Sequence, residues 1–113
     1  MQKKAYLINS ETKTVSDITI DDYTEISKNI GCEIFTTGTH LPNGDTIYVD
    51  DEGLLINPKF FFMVDGCAHP FAGNGVVVGA DEEGESVDVK TKIEDIWAMV
   101  KFMSPFVAKQ YFD

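Results

Sequence analysis

The sequence predicts an α+β domain: a mostly antiparallel sheet of hairpins, with a short helix over about 22–30 and a C-terminal helix over about 92–103 packed on one face. Three observations predict it. Short runs rich in Val, Ile, Thr, Tyr and Phe are separated by polar or Gly/Asn/Asp turns. Two other stretches place apolar residues three and four apart, the helical period. The resulting order, ββαββ…ββα, sets helices against hairpin-built sheet.

Residues 3–8 (KKAYLI) and 14–20 (TVSDITI) read as two strands joined by the polar connection Asn9–Lys13. Val15, Ile18 and Ile20 break the alternation, which predicts a bulge or an early strand end. In DDYTEISKNIG, Asp21 or Asp22 can cap the first amides. Tyr23, Ile26 and Ile30 form one apolar stripe, and Gly31 suits a left-handed C-cap. Residues 32–53 read as a hairpin about Pro42-Asn43-Gly44-Asp45, with positive φ expected at both Asn43 and Gly44.

In LLINPKFFFMV, Pro58 disfavours helix before it and cannot donate to a ladder. A loop or helical turn starting at Pro58 is expected, with Phe60 to Val64 packed inward. Residues 65–75 read as a loop. VVVGADEEGESVDV reads as a buried strand, an acidic turn and a second short strand. In KTKIEDIWAMVKFMSPF, Thr91 and Glu94 form a capping box. Ile93, Ile96, Trp97, Val100 and Met103 follow at helical spacing. Ser104-Pro105 ends that helix, and Pro105 can start another turn. The segments YVDDEG and VGADEEGE resemble each other.

The 113 residues fit a single domain, 1–113. With 43% hydrophobic residues, that length can bury a core without staples. The net charge is -10, and all nine basic residues are lysine. Arginine is the usual bidentate reader of phosphate and guanine, so direct nucleic-acid binding is not expected. An anionic membrane surface would repel the chain. A protein partner that is basic or DNA-binding is the expectation that charge supports. The N-terminus has no apolar run suited to a signal segment, which predicts a cytoplasmic protein with reduced Cys32 and Cys67.

Asp50-Asp51-Glu52 and Asp81-Glu82-Glu83-Gly84-Glu85 are solvated turns or parts of an acidic interaction surface. Consecutive carboxylates on extended chain point apart and do not have the spacing of a calcium loop. Phe60, Phe61, Phe62 and Phe71 read as core or loop plug, and as an interface if several are exposed together. Cys32, His40, Cys67 and His69 are the residue types zinc takes, but no CxxC or HxxxH pair sets them at ligand spacing. Gly73-Asn74-Gly75 precedes a strand, whereas a phosphate loop precedes a helix. No HExxH, Walker or Ser-His-Asp signature is present. A non-enzymatic binding module without a cofactor is therefore expected. Three alternatives remain open: a DNA mimic that occupies a DNA-binding enzyme, a small metal-dependent enzyme using the Cys/His residues, and a structural protein that homo-oligomerises.

Ile30-Gly31-Cys32-Glu33-Ile34, Tyr48-Val49-Asp50-Asp51-Glu52-Gly53, Asn57 and Val76–Asp81 occur in an order with a D-E-x-G…N pattern. Over Tyr23 to Glu85 the chain thereby resembles a small uncharacterised domain family of phage and mobile-element proteins. The resemblance implies a phage or plasmid accessory protein; with the charge of -10 and the absent catalytic signature, it leads to the expectation of a module that binds and modulates a host or viral protein. It implies no catalytic residue. At Gly31-Cys32 the chain has one glycine where the pattern doubles it.

Overall fold

The computed structural model describes residues 2–52 and 58–112. The turn expected at Gly53 and the closing role expected of Asn57 lie outside these residues. The elements run β1 (Lys3–Asn9), β2 (Thr14–Ile20), α1 (Thr24–Ile30), β3 (Phe35–His40), β4 (Thr46–Asp50), β5 (Phe61–Val64) and β6 (Phe71–Ala72). They continue with β7 (Gly75–Ala80), β8 (Ser86–Val87), α2 (Ile93–Met99), β9 (Val100–Met103) and α3 (Pro105–Lys109). This is the expected α+β class, and the strand pairings are antiparallel.

Two sheets stack. The larger has the order β2-β1-β7-β4-β3, with β8 added to β7; the smaller has the order β6-β5-β9. β7 lies at the centre of the larger sheet, and Gly75 to Gly79 are buried. Its unbroken apolar run follows from burial on both faces. On one face, Ile26 and Ile30 of α1 cover Ala5, Ile20, Val76 and Val78. On the other, Phe62, Val64 and Val100 of the smaller sheet and Ile96 of α2 meet Tyr6, Ile8, Val15, Ile47, Val49 and Val77. The outer side of the smaller sheet, at Phe61, Ala72 and Met103, lies under Ala108 of α3. The layers are thus α1, larger sheet, smaller sheet, α3.

This layering explains where local reading misleads. β1 and β2 pair without interruption from Lys3↔Ile20 to Asn9↔Thr14, so there is no bulge. Val15 faces the smaller sheet while Ile18 and Ile20 face α1, and a strand covered on both sides need not alternate. The helices take opposite faces instead of one. Tyr23 precedes α1 and is 71% exposed, outside the stripe in which it was expected. Gly31 is the left-handed C-cap at φ 85°, and its N–H donates to the Ser27 carbonyl at 2.8 Å.

The helix expected over 92–103 ends at Met99, and Val100 to Met103 form β9. The spacing that suits a helix also contains a strand, and β5 supplies a ladder from Phe61↔Met103 to Val64↔Val100. β5 itself replaces the loop or helical turn expected after Pro58. Phe61, Phe62 and Val64 are inward as expected and Met63 is half-buried, whereas Phe60, just before the strand, is exposed. The capping box is absent: Lys92 is the N-cap of α2 with no side-chain bond, and the Thr91 hydroxyl donates to Asp45. At the next break the expectation holds. Ser104 caps α3, its side chain accepts from the Val107 N–H, and Pro105 opens the helix.

Candidate functional site

The site grows from the end of the larger sheet where β4 leaves it and β7 enters. There Val49 pairs with Gly75 and Phe35 with Asp50. The Asp51 N–H donates to the Ile34 carbonyl at 3.0 Å, carrying the pairing one residue beyond β4. The Asp50 carboxylate accepts from the Glu52 N–H at 2.9 Å and holds the turn, as aspartate does locally. Asp51 and Glu52 are exposed.

The loop after β5 comes to meet this turn. Ser10 is buried and pins it twice, its N–H donating to Asn74 Oδ1 at 3.0 Å and its hydroxyl to the Gly73 carbonyl at 2.5 Å. The Gly73 N–H donates to the Phe60 carbonyl at 2.8 Å. Phe71 pairs with Phe62 across the smaller sheet, ring centroids 5.4 Å apart. β3 bulges between Thr37 and Thr39, at Gly38. A Cβ on Gly38 would lie 3.2 Å from Phe71 Cε1 and 3.1 Å from Val49 Cγ1, so the missing side chain leaves room for the ring. His69 meets Phe71 edge-on at 6.0 Å and lies over Phe112 at 5.5 Å.

Between turn and loop lies a cleft of about 300 Å³. It is lined by Val49, Pro70, Phe71 and Ala72, of which Phe71 is the most exposed, and by Asp50, Asp51 and His69. On the far side of Asp50 a smaller recess of about 240 Å³ holds Cys32, Glu33 and Glu52. Burial, then the Asp50 charge, pushes the Cys32 thiol above its ordinary value. That keeps it protonated and unreactive near neutrality.

The two acidic turns lie at opposite ends of the sheet. Asp81 follows β7, six residues beyond Gly75, whereas Asp50 stands beside the start of that strand. At ~3.3 Å per residue the separation is roughly 20 Å. Each turn begins the same way, since Asp81 Oδ1 also accepts from the N–H two residues on, that of Glu83, at 2.9 Å. The Gly84 N–H closes its turn onto the Asp81 carbonyl, with Gly84 at φ 82°. Glu82, Glu83 and Glu85 are exposed around it. The neighbouring turn has the same form, closed from the Gly44 N–H to the Leu41 carbonyl. Gly44 there has φ 96°, and Asn43 does not have the positive φ expected of it. Lys90 Nζ bridges the two turns through the carbonyls of Asn43 (3.2 Å) and Ala80 (2.5 Å).

The four zinc-type residues are dispersed. Cys32 packs on the α1 face of the larger sheet and Cys67 on the other face. His40 ends β3 beside Thr46, Nδ1 to Oγ1 3.0 Å, at the Asp81 end of the sheet. Among the described residues no group of three His, Cys, Asp or Glu is arranged to hold a metal. The phenylalanines also divide: Phe62 is fully buried, Phe61 is covered by α3, Phe71 lines the cleft and Phe60 is exposed.

Sequence reasoning overlooked two features. Asp45, read as a turn residue, is fully buried. Its carboxylate accepts from the N–H groups of Lys90 (3.1 Å) and Thr91 (2.8 Å) and from the Thr91 hydroxyl (2.6 Å). The C-terminal aromatics Phe106, Tyr111 and Phe112 are exposed, Phe106 at 77%. A five-residue helix with one buried residue cannot cover them, and its length after Pro105 was the available signal.

Among the described residues no helix is long and apolar enough to cross a membrane. A family model described as a domain of unknown function, DUF3846, matches residues 2–101. The match exceeds the 23–85 stretch of the sequence resemblance and stops before α3. No curated protein and no solved structure matches the chain.

Proposed function

The chain belongs to DUF3846, a family of unknown function, and we propose that it is a non-catalytic module that binds and modulates another protein. The observation that carries this reading is the cleft of about 300 Å³ between the Asp50-Asp51 turn and the His69–Ala72 loop, where acidic and apolar residues meet. A concavity beside a carboxylate turn offers a basic partner contact area and complementary charge. The charge of -10 favours a basic partner, including one that ordinarily holds nucleic acid. On this reading the protein is a phage or mobile-element accessory acting in the host cytoplasm, as the D-E-x-G resemblance implies.

The DNA-mimic alternative needs carboxylates in rows at phosphate spacing. The roughly 20 Å between the acidic turns at ~3.3 Å per residue gives it no support. The enzyme alternative draws no support from the dispersed Cys/His residues.

Affinity capture from a bacterial lysate tests the proposal. The tagged chain should retain a partner that is lost on Asp50→Asn with Asp51→Asn and kept on Asp81→Asn with Glu82→Gln and Glu83→Gln. The same proteins retained by all three forms would overturn it. A second reading, self-association, is favoured by exposed Phe106, Val107 and Tyr111. Light scattering should then report an oligomer that Phe106→Ser converts to monomer. A monomeric parent chain would exclude it.

A further inference from the structure

We propose that the free edge of β3 docks an extended segment of a partner protein as an added antiparallel strand. The segment places an apolar side chain in the groove between β3 and α1, and a lysine or arginine beside Glu33. This rests on the reading that the chain binds another protein, but the surface is a second one. The cleft beside the His69 loop lies on the other face of the sheet, with Val49 and Phe71.

Backbone direction carries the first half. The Ile34 carbonyl accepts from the Asp51 N–H, so Ile34 turns toward β4. Phe35 pairs next with Asp50, Thr36 with Val49 and Thr37 with Tyr48. Along an antiparallel ladder, successive residues alternate between bonding the neighbour and facing away from it. Thr36 therefore bonds β4, and Phe35 and Thr37 direct their N–H and C=O groups outward. Among the described residues only β4 pairs with β3, and Thr36 and Thr37 are exposed. Such a row is a template for a further strand. The bulge at Gly38 ends it, so the added strand is short.

Side chains carry the second half. Phe35 lies on the α1 face, edge-on to Tyr48 with ring centroids 5.1 Å apart. Beside it is a groove of about 370 Å³ lined by Tyr23, Thr24, Ser27, Glu33, Ile34 and Phe35. Tyr23 is 71% exposed and Ile34 54%, so its apolar walls are open to a ligand. Edge main-chain bonds with alternate side chains in an adjoining pocket are a recurring mode of peptide recognition. A partner residue opposite Phe35 projects on the groove face, and so does the next but one, roughly 7 Å along, toward Glu33. The Glu33 carboxylate and the net charge of -10 favour a cation there. The same charge opposes β3-to-β3 pairing of two copies. At the other edge of the larger sheet α2 packs beside β2, and the depression there, at Lys4, Asp17, Ile18 and Thr19, is mostly polar.

Amide exchange and shift mapping of the full chain test the inference, with the end-capped peptide Thr-Val-Thr-Val-Thr-Lys as probe. In the free chain the Phe35 and Thr37 amides should exchange much faster than that of Thr36. The peptide should slow both and give saturable shifts at Ser27, Ile34 and Phe35. N-methylation of its two valines removes the ladder donors at unchanged charge and should abolish binding. Glutamate in place of its lysine should weaken binding severalfold. Thr37→Pro removes an outward N–H and should abolish binding, since proline is tolerated on an edge. Tyr23→Ser with Ile34→Ser, both at exposed positions, should weaken it severalfold even if the proline chain does not fold. Phe35 and Thr37 amides as slow as Thr36 in the free chain would show an edge already covered. Slowing that grows with chain concentration would assign the edge to a second copy. Equal binding of the N-methylated or the glutamate peptide would show contact without ladder or charge. Each of these overturns the inference. Lysate capture that survives Thr37→Pro but is lost on Asp50→Asn with Asp51→Asn removes this edge and leaves the binding module standing. Capture lost on Thr37→Pro alone keeps the edge and overturns the cleft.

Discussion

At the scale of single residues, Asp45 and Tyr6 tie the start of α2 to the larger sheet. Asp45 takes three donors from Lys90 and Thr91 without exposure to water, and the Tyr6 hydroxyl donates to the Thr91 carbonyl at 2.6 Å. Charge-assisted bonds are the stronger kind, and donors left unmade in the interior cost more than the bond itself. Asp45→Ala should therefore destabilise by about 3 kcal/mol, read from urea unfolding. A loss under about 1 kcal/mol would mean that water replaces the carboxylate. Burial, then the charge of Asp17, raises the Tyr6 phenol above its ordinary value. The folded state thus holds this proton more tightly than the unfolded chain. Its contribution is intact below the ordinary phenol range and is lost as pH rises through the raised value. Cys32 acts in the same direction in the thiol range. Stability should fall on the alkaline side, and Tyr6→Phe should flatten the phenol part of that fall. An unchanged alkaline limb would contradict it.

At the scale of elements, the stacking of the two sheets depends on close approach at Gly75. A Cβ there would lie 2.7 Å from Phe62 Cζ, so the ring rests directly on β7 backbone. Gly75→Ala should cost about 1–3 kcal/mol by overpacking, and Phe62→Leu in the same chain should recover part of the loss. Strictly additive losses in thermal unfolding would mean that the two residues do not touch. The same stacking settles Val100 to Met103. Their spacing suits either a helix or a strand, and the choice falls to β5, which lies beyond reach of any local signal. By contrast Gly31, Gly84 and Ser104-Pro105 act through their own backbone, and those breaks were legible from the chain.

At the scale of the molecule, the charge is large and spread over both ends of a body 40 Å long. Lys101 and Asp65 approach to 4.0 Å, both exposed, and such a pair contributes little. Self-repulsion should dominate, so raising NaCl from about 0.01 M to about 0.5 M should raise the melting temperature as screening shortens. A falling melting temperature would show that favourable pairs prevail. The separation of the acidic turns also belongs to this scale. Their sequences look alike and their first bonds are alike, yet β4 runs toward one end and β7 toward the other.

By itself the sequence determined the class, the two hairpins, the buried β7 run, the glycine-ended α1 and the break before α3. Each of these rests on a neighbour in the chain: a period, a turn residue or a cap. Only the tertiary structure decided that β9 is a strand, that the helices lie on opposite faces, that Asp45 is interior, and that the Asp50 turn shares a cleft with Phe71 while the Asp81 turn lies at the other end of the sheet. These depend on partners far apart in the chain, and a one-dimensional pattern carries no record of which distant backbone will satisfy a ladder or bury a side chain.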